Sequence, residues 1–148
     1  MNALTRNKFL YKVMLVDDTE VDTFISKKML KSAEFSNNII EFYSAQKALE
    51  FLQENKSNEH VLPQIIFLDL HMPAMDGFDF MEKFRNLDPK ITRYCKVVML
   101  SSSLDSEDIR RIQGFSQVIK FMIKPLSVDQ LNILNLEMGA TIKENQSK

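Results

Sequence analysis

The chain has 148 residues, of which 45% are hydrophobic and 26% are charged, and these proportions are typical of one globular domain and not of a disordered protein. A net charge of −1 excludes the strongly basic surface expected for binding to nucleic acid or to an anionic membrane. The single cysteine, Cys95, excludes an internal disulfide, and no apolar run is long enough to span a membrane, so a cytoplasmic location is expected.

The first half of the chain predicts a strand, a helix, a second strand and a second helix. The run Val13–Val16 is short and apolar, as in a strand buried in a sheet. Thr19 can cap the following helix, with Asp22 in the capping-box position three residues later. The second strand is predicted at Ile39–Tyr43. The apolar stripe of the first helix is Val21, Phe24, Ile25 and Met29, and that of the second, which starts after Ser44, is Ala45, Ala48, Leu49 and Leu52.

The middle of the chain predicts a central strand that ends in an acid. Ile65–Leu68 is an unbroken apolar run, which is typical of a strand buried on both faces, and Asp69 follows it directly. Pro73 prevents a simple continuation of the strand, and Asp76-Gly77 is a turn signal before a helix over 78–87. Loops are predicted for 53–60 and for the segment around Pro89.

The second half predicts two more strands and two more helices. The strand Val97–Leu100 ends in three serines, Ser101–Ser103, and is followed by a helix over 105–115. The strand Val118–Ile123 ends in Lys124-Pro125. A capping box of Ser127 and Gln130 starts the last helix, whose stripe is Val128, Leu131, Leu134, Met138 and Ile142, before a polar tail at 145–148.

Five strands alternating with five helices predict a doubly wound α/β fold, in which helices cover both faces of a parallel sheet. The carboxyl ends of parallel strands open onto one edge of the sheet, where ligands bind in such folds. Polar side chains far apart in sequence can therefore converge at this edge: Asp17, Asp18, Asp69, Ser101 and Lys124.

This group of side chains suits one reaction. Clustered carboxylates repel each other unless a cation compensates, and oxygen ligands favour Mg²⁺. Asp69 could then act as a nucleophile towards a phosphoryl group, with Lys124 and the Ser101 hydroxyl stabilising the developing charge. Each residue alone has an ordinary explanation as a turn former, a helix cap or a solvated charge. Their convergence at one sheet edge favours the chemical interpretation.

The chain resembles the receiver domain of bacterial response regulators, in particular the stand-alone chemotaxis-type regulators. The resemblance covers roughly 12–143 and implies a flavodoxin-like sheet of order 2-1-3-4-5. It would make 1–148 one receiver domain, with a lead-in over 1–11 and a tail over 144–148. It rests on five motifs in order: Val16-Asp17-Asp18, Leu68 to Pro73, Asp76-Gly77, Met99 to Ser102 and Ile123-Lys124-Pro125.

The resemblance implies roles for the residues of the site. Asp69 would be the phosphoacceptor, and the donor would be a phosphohistidine on a sensor histidine kinase or a histidine phosphotransfer protein. Asp17 and Asp18 would organise Mg²⁺, one directly and one through water, together with Asp69 and the backbone carbonyl of His71. Lys124 would stand at the lysine position of the family.

The resemblance also implies a switch. Ser101 stands at the hydroxyl position that contacts the phosphoryl group, where Thr is more usual in the family. Phe121 stands at the aromatic switch position, where Tyr is common, so switching would work by packing without a phenolic hydrogen bond. His71 and Ser103 occupy variable positions near the phosphoryl group. A cis bond is often found before the proline that matches Pro125.

Two other classes of function are weighed against the switch. A pseudo-receiver would keep the fold as a binding module without the chemistry, but it would lack an acid or the lysine, and here all are present. A phosphatase with an aspartyl nucleophile would resemble Asp-x-Asp enzymes, in which the second acid protonates the leaving group. His71 occupies that position and could in principle donate a proton, but the chain has no segment to spare for a cap over the site.

The output of the domain is expected to be a protein contact. No DNA-binding or catalytic domain is recognised after the receiver, so the chain would act through another protein or carry phosphate in a relay, as a monomer or weak dimer that binds neither nucleic acid nor membrane. The thin stripe of the helix over 105–115 suggests a partner or dimer surface made of Ile109, Ile112 and Phe115.

Overall fold

The computed structural model describes residues 11–103 and 105–146, and side chains as far as Gly139. Three predicted features lie outside these descriptions: residues 1–10 of the lead-in over 1–11, the place of Ile142 in the last stripe, and the end of the tail at 147–148. The described part of the chain forms a single β-sheet with helices between its strands.

All five predicted strands are present and parallel, in the spatial order β2-β1-β3-β4-β5. The predicted fold and strand order are therefore confirmed. The last residues of β1 and β3 are in register with their neighbours, since Val16 pairs with Leu68 and Asp69 with Leu100. The strands are β1 (Lys12–Val16), β2 (Asn38–Phe42), β3 (Ile65–Asp69), β4 (Lys96–Ser101) and β5 (Val118–Ile123).

Two apolar cores lie on the two faces of the sheet. Alternate residues of β3 point to opposite faces, so Ile66 and Leu68 join one core, and Ile65 and Phe67 join the other. Every residue of β3 is buried, which explains its unbroken apolar run. The helices are α1 (Glu20–Ser32), α2 (Ala45–Glu54), α3 (Gly77–Phe84), α4 (Pro89–Thr92), α5 (Ser106–Gln113) and α6 (Val128–Gln146).

The predicted stripe of α1 is wrong at Val21 and Phe24, whereas Met29 is partly buried and packs against the core. Val21 and Phe24 are 69% and 67% exposed, whereas the buried residues of the helix are Thr23, Ser26 and Leu30. The Thr23 hydroxyl donates a 2.9 Å hydrogen bond to a backbone carbonyl, so it can be buried without an unpaired polar atom. The helix therefore packs through small residues, Leu30 and the partly buried Met29, and Val21 and Phe24 face outward.

The segment after the central strand differs from the prediction in length. The helix predicted over 78–87 ends at Phe84, and the predicted loop around Pro89 contains the short helix α4. Asp88 caps α4 by accepting a 2.9 Å hydrogen bond from the Lys90 amide. Pro89 fits the first turn because an N–H group there has no helical partner. At the other end of the chain, α6 extends to Gln146, past the predicted start of the tail at 145.

The surface suggested for partner binding is mostly core. Ile112 and Phe115 are 4% and 8% exposed and belong to a core cluster, and Ile109 is half-buried. The Arg85 guanidinium lies 5.2 Å from the centre of the Phe115 ring and covers it further. The thin stripe of α5 therefore attaches the helix to the sheet and is not free to form a contact of its own.

Candidate functional site

Three carboxylates meet at one edge of the sheet. Asp17 and Asp18 follow the end of β1, and Asp69 is the last residue of the neighbouring strand β3. Oxygen atoms of the three side chains lie within 4.8 Å of one another. Asp17 and Asp69 are each 5% exposed, and Asp18 is exposed. The predicted convergence of these acids is therefore present in the fold.

The buried Asp17 carboxylate is held by hydrogen bonds to both of its oxygens. Its Oδ1 atom accepts from the Thr19 amide at 3.0 Å and from the Thr19 hydroxyl at 3.1 Å. Its Oδ2 atom accepts from the Lys124 ammonium at 2.7 Å. These bonds are possible because the chain turns from β1 into α1 directly after the acid pair.

Lys124 reaches the same edge from the end of β5. Its ammonium lies 2.7 Å from Asp17 Oδ2, 2.9 Å from Asp22 Oδ2 and 3.3 Å from Asp69 Oδ2. The Lys124 amide donates to the Ser101 carbonyl at 2.8 Å, which ties the lysine to the end of β4. The bond between Lys124 and Pro125 is cis, as the resemblance implies.

Burial and the neighbouring charges shift the pKa values of Asp69 and Lys124. Burial raises the pKa of Asp69, and the Asp17 charge adds to this, although the nearby Lys124 ammonium acts in the opposite direction. For Lys124, burial alone would lower the pKa, but hydrogen bonds to Asp17 and Asp22 and the charge of Asp69 together raise it above its ordinary value. Lys124 is therefore charged, and Asp69 is a carboxylate whose ionised form the fold disfavours.

The loop after Asp69 is packed against the end of the strand. The Asp69 Oδ1 atom accepts a 3.2 Å hydrogen bond from the amide of His71, and the His71 side chain is exposed. Gly77 donates to the Leu70 carbonyl at 2.8 Å. A Cβ atom on Gly77 would lie 2.9 Å from Leu70 Cα and 3.1 Å from the Asp69 carbonyl oxygen. Only glycine allows this approach, so a residue predicted as a turn former also positions Asp69.

The predicted switch residues lie on the neighbouring strands. Ser101, the last residue of β4, is fully buried, and its hydroxyl donates to the Ser103 carbonyl and accepts from the Ser103 amide at 3.2 Å. Phe121 on β5 is half-buried against the core and pairs with Met99. The Ser101 hydroxyl is thus bonded within its own loop in this state of the protein.

The acid group suits a hard divalent cation. Mg²⁺ binds carboxylate and carbonyl oxygens and keeps several waters, and the three acids offer oxygens close enough to share one ion. Asp18 is exposed and so leaves the site open to water. Among the described residues, Asp17, Asp18 and Asp69 are the cluster with this geometry. The His71 carbonyl remains a predicted ligand.

Asp22 belongs to the site, although its position in the sequence predicts only a helix cap. Its backbone amide does donate to the Thr19 hydroxyl at 3.3 Å, as predicted. Its carboxylate, however, binds Lys124 at 2.9 Å instead of completing the capping box. The Lys124 hydrogen bond lowers the pKa of Asp22. The signal in the sequence is an acid one turn into the helix that follows Asp17-Asp18.

Comparisons with known sequences give one consistent family. A family model described as the response regulator receiver domain matches residues 13–134. The chain is 26% identical over 119 residues to the probable methanogenesis regulatory protein FilR2 of Methanothrix harundinacea, covering 80% of this chain and 75% of that protein. It is 26% identical over 140 residues to the transcriptional regulatory protein HptR of Staphylococcus aureus, covering 94% of this chain and 50% of that protein. The chain thus spans about half the length of the latter relative.

Solved structures give the same result. A two-component response regulator from Cytophaga hutchinsonii superposes with a TM-score of 0.77 at 26% identity, covering 84% of this chain and 93% of that one. A response regulator receiver protein from Dyadobacter fermentans superposes with a TM-score of 0.72 at 30% identity, covering 82% and 92%. Within the described part of the chain, no helix has the length and apolar character to cross a membrane.

Proposed function

Because the chain belongs to the family of response regulator receiver domains, we propose that it works as a phosphorylated switch with Asp69 as the phosphoacceptor. The observation that carries this proposal is the position of Asp69. Its carboxylate lies at the carboxyl edge of the sheet, 3.3 Å from the Lys124 ammonium and within 4.8 Å of oxygens of Asp17 and Asp18. A buried acid among two further acids and a lysine has no comparable use in packing.

The phosphoryl group would come from a phosphohistidine on a sensor histidine kinase or a histidine phosphotransfer protein. A carboxylate oxygen of Asp69 attacks phosphorus, and the bond between phosphorus and the imidazole nitrogen breaks. The electron pair of that bond returns to the imidazole, and the product is an aspartyl phosphate. Lys124 stabilises the negative charge on the phosphoryl oxygens, and the fixed Asp69 side chain supplies the alignment.

Mg²⁺ is the cofactor that the acid group favours. Asp17, Asp18 and Asp69, with the backbone carbonyl of His71, would hold it. The ion would supply positive charge next to the phosphoryl oxygens. The domain would be a signalling element and not an enzyme with a separate substrate, although the same residues would assist the gain and loss of its own phosphate.

The switch would run from Ser101 to Phe121. The Ser101 hydroxyl gives up its hydrogen bonds within the Ser101–Ser103 loop and turns to a phosphoryl oxygen. This movement changes the space next to β5, where Phe121 is only half-buried and can repack. The consequence is a changed surface for a protein partner. Residues 12–143 would form the switching unit.

Chemical trapping tests the acceptor directly. The protein is incubated with acetyl phosphate and Mg²⁺ and reduced with borohydride, which converts an aspartyl phosphate to homoserine, and fragments are then sequenced by mass spectrometry. Homoserine at position 69 supports the proposal. Homoserine at Asp17 or Asp18, or at no position in protein that is shown to be folded, would overturn it.

A further inference from the structure

Asp22 is turned away from its own helix cap and towards the site. At the start of α3 the corresponding acid, Asp79, completes the capping box by accepting a 3.1 Å hydrogen bond from the Asp76 amide. At the start of α1, the Asp22 amide donates to the Thr19 hydroxyl, but the Thr19 amide donates to Asp17 Oδ1 and not to Asp22. The Asp22 carboxylate instead binds the Lys124 ammonium at 2.9 Å. The Asp22 amide thus takes part in capping α1, whereas the Asp22 carboxylate binds a lysine across the site.

Asp22 differs from the other two carboxylates that bind Lys124. Asp17 and Asp69 belong to the acid group that suits a cation, and their side chains are 6% and 7% exposed. The Asp22 side chain is 40% exposed and lies outside that group. An ammonium has three N–H donors, so Lys124 can bind all three carboxylates at once.

A cation in the acid group disturbs this arrangement. Mg²⁺ would take oxygens of Asp17 and Asp69 and would repel the nearby Lys124 ammonium. Lys124, whose side chain is 14% exposed, would then lose much of its attraction to these two acids. Asp22 is the carboxylate partner of Lys124 that the cation leaves unused.

We propose that Asp22 is a positioning residue for Lys124: it holds the ammonium beside Asp69 when Mg²⁺ takes over Asp17 and Asp69. This inference rests on the proposed function for the role of Mg²⁺ and Lys124. It adds that metal binding and lysine placement are coupled through an acid that binds neither metal nor phosphate. In the absence of Asp22, the described carboxylate partners that remain for the lysine are the acids that Mg²⁺ needs, so the two cations compete more strongly.

Titration calorimetry with MgCl₂ alone measures this coupling without any phosphorylation. Asp22→Asn keeps the shape of the side chain and the backbone bond to Thr19 but removes the charge. We expect its Kd for Mg²⁺ to rise by about three- to fivefold, the size of a partly exposed ion pair. Asp22→Glu should recover part of the loss.

The matched control is Glu20→Gln, which removes an exposed charge from the same first turn of α1. The described contacts of Lys124 do not include Glu20. At physiological ionic strength this change should alter the Kd by less than about twofold, because exposed charges act weakly over distance. An equal loss in Glu20→Gln would overturn the proposal in favour of general electrostatic attraction.

A double-mutant cycle with Lys124→Met separates the coupling from the direct effect of charge. Without the lysine, Asp22→Asn should weaken Mg²⁺ binding no more than Glu20→Gln does. The same loss in both backgrounds, or no loss in either, would overturn the proposal, as would a wild-type protein that binds no Mg²⁺. Failure of the wild type to gain phosphate from acetyl phosphate, with Mg²⁺ bound, would contradict only the proposed function, and the cycle would still decide the role of Asp22.

Discussion

The Lys124 ammonium and the Asp17 carboxylate form a 2.7 Å ion pair across the edge of the sheet, between residues 107 positions apart in the chain. Asp17 also belongs to the acid group that suits Mg²⁺. The lysine that is proposed to help phosphoryl transfer therefore binds the same carboxylates that would hold the metal. Lys124 and Mg²⁺ therefore compete for the same carboxylate oxygens.

Lys124→Met should bind Mg²⁺ more tightly and yet gain phosphate more slowly. Removing the lysine frees Asp17 and Asp69 for the ion, and we expect the Kd for Mg²⁺ to fall by about fivefold or more. It also removes a fixed positive charge beside the phosphoryl group, which should slow phosphorylation by acetyl phosphate about 100-fold. Calorimetry gives the first value, and the time course of intact mass gives the second.

The control for Lys124→Met is Lys56→Met, which removes a surface lysine whose described carboxylate partner, Asp88, is 3.9 Å away. This variant should leave the Mg²⁺ affinity and the rate of phosphate gain unchanged. Weaker Mg²⁺ binding in Lys124→Met would contradict the competition between the two cations.

Asp69→Asn should stabilise the metal-free protein at neutral pH. Burial raises the pKa of Asp69, and the neighbouring Asp17 charge contributes to this. A carboxyl group whose pKa is higher in the folded state binds its proton more tightly there than in the unfolded state. Its ionisation at neutral pH therefore lowers the free energy of unfolding. The stability rises as the pH falls through the folded-state pKa. Asparagine carries no such cost. We expect a gain on the order of 1 kcal/mol at pH 7.

Thermal unfolding in EDTA measures this gain as a melting temperature higher by about 2–4 °C at pH 7. The difference between Asp69→Asn and wild type should shrink as the pH is lowered, because Asp69 becomes protonated in the wild type. Glu54→Gln, which changes an exposed carboxylate, is the control and should show no such pattern. A variant less stable than wild type at pH 7 would contradict this account of Asp69.

Gly77→Ala should damage both stability and the site. The new methyl group would lie 2.9 Å from Leu70 Cα and 3.1 Å from the Asp69 carbonyl oxygen, and both are backbone atoms that cannot turn away. We expect a loss of about 2 kcal/mol in the free energy of unfolding. Because the backbone that must move carries Asp69, phosphorylation should slow as well.

Chemical denaturation and the rate of phosphate gain test the glycine. Gly114→Ala is the matched control, because its added methyl group would lie 3.3 Å from the backbone oxygen of Arg111. That variant should lose far less stability and keep the normal rate. Wild-type stability in Gly77→Ala would show that the loop after β3 is not as tightly packed as described.

Ser101→Ala should separate phosphorylation from switching. The hydroxyl is bonded to Ser103 in this state, and the proposed switch requires it to move to the phosphoryl group. Without it, beryllofluoride with Mg²⁺ should still bind Asp69, but the NMR shift at the Phe121 amide should be largely lost. Ser101→Thr keeps the hydroxyl and should keep the shift. An undiminished Phe121 shift in Ser101→Ala would rule out Ser101 as the first step.

Much of the fold could be predicted because its elements follow local patterns. Apolar runs gave all five strands, and the alternation of strands and helices gave the parallel sheet. The site at the carboxyl edge followed from that topology, since Asp17 and Asp69 each stand directly after a run of buried residues. Ser127 and Gln130 form the predicted capping box, with bonds of 2.8 and 3.2 Å.

The predictions are wrong where tertiary contacts decide the outcome, as for the buried face of α1 and the partner of Asp22. The pattern of α1 placed Val21 and Phe24 in the core, but the core accepts Thr23 and Ser26, which are small, and Leu30. The spacing of apolar residues shows which face of a helix is the least polar, but it does not show how closely the helix packs against the sheet. The same limit explains Asp22: an acid one turn after Asp17-Asp18 is the signal in the sequence, but this signal does not identify a lysine 102 positions away as the partner.

Intact mass after incubation with acetyl phosphate shows whether Asp69 accepts phosphate. Wild type and Asp69→Asn are compared with Mg²⁺ and with EDTA, and circular dichroism confirms that both are folded. We expect a gain of one phosphate in the wild type with Mg²⁺ and no gain in the other three samples. A folded wild-type protein that gains no phosphate with Mg²⁺, or an Asp69→Asn variant that gains it equally, would contradict the claim that Asp69 is the phosphoacceptor.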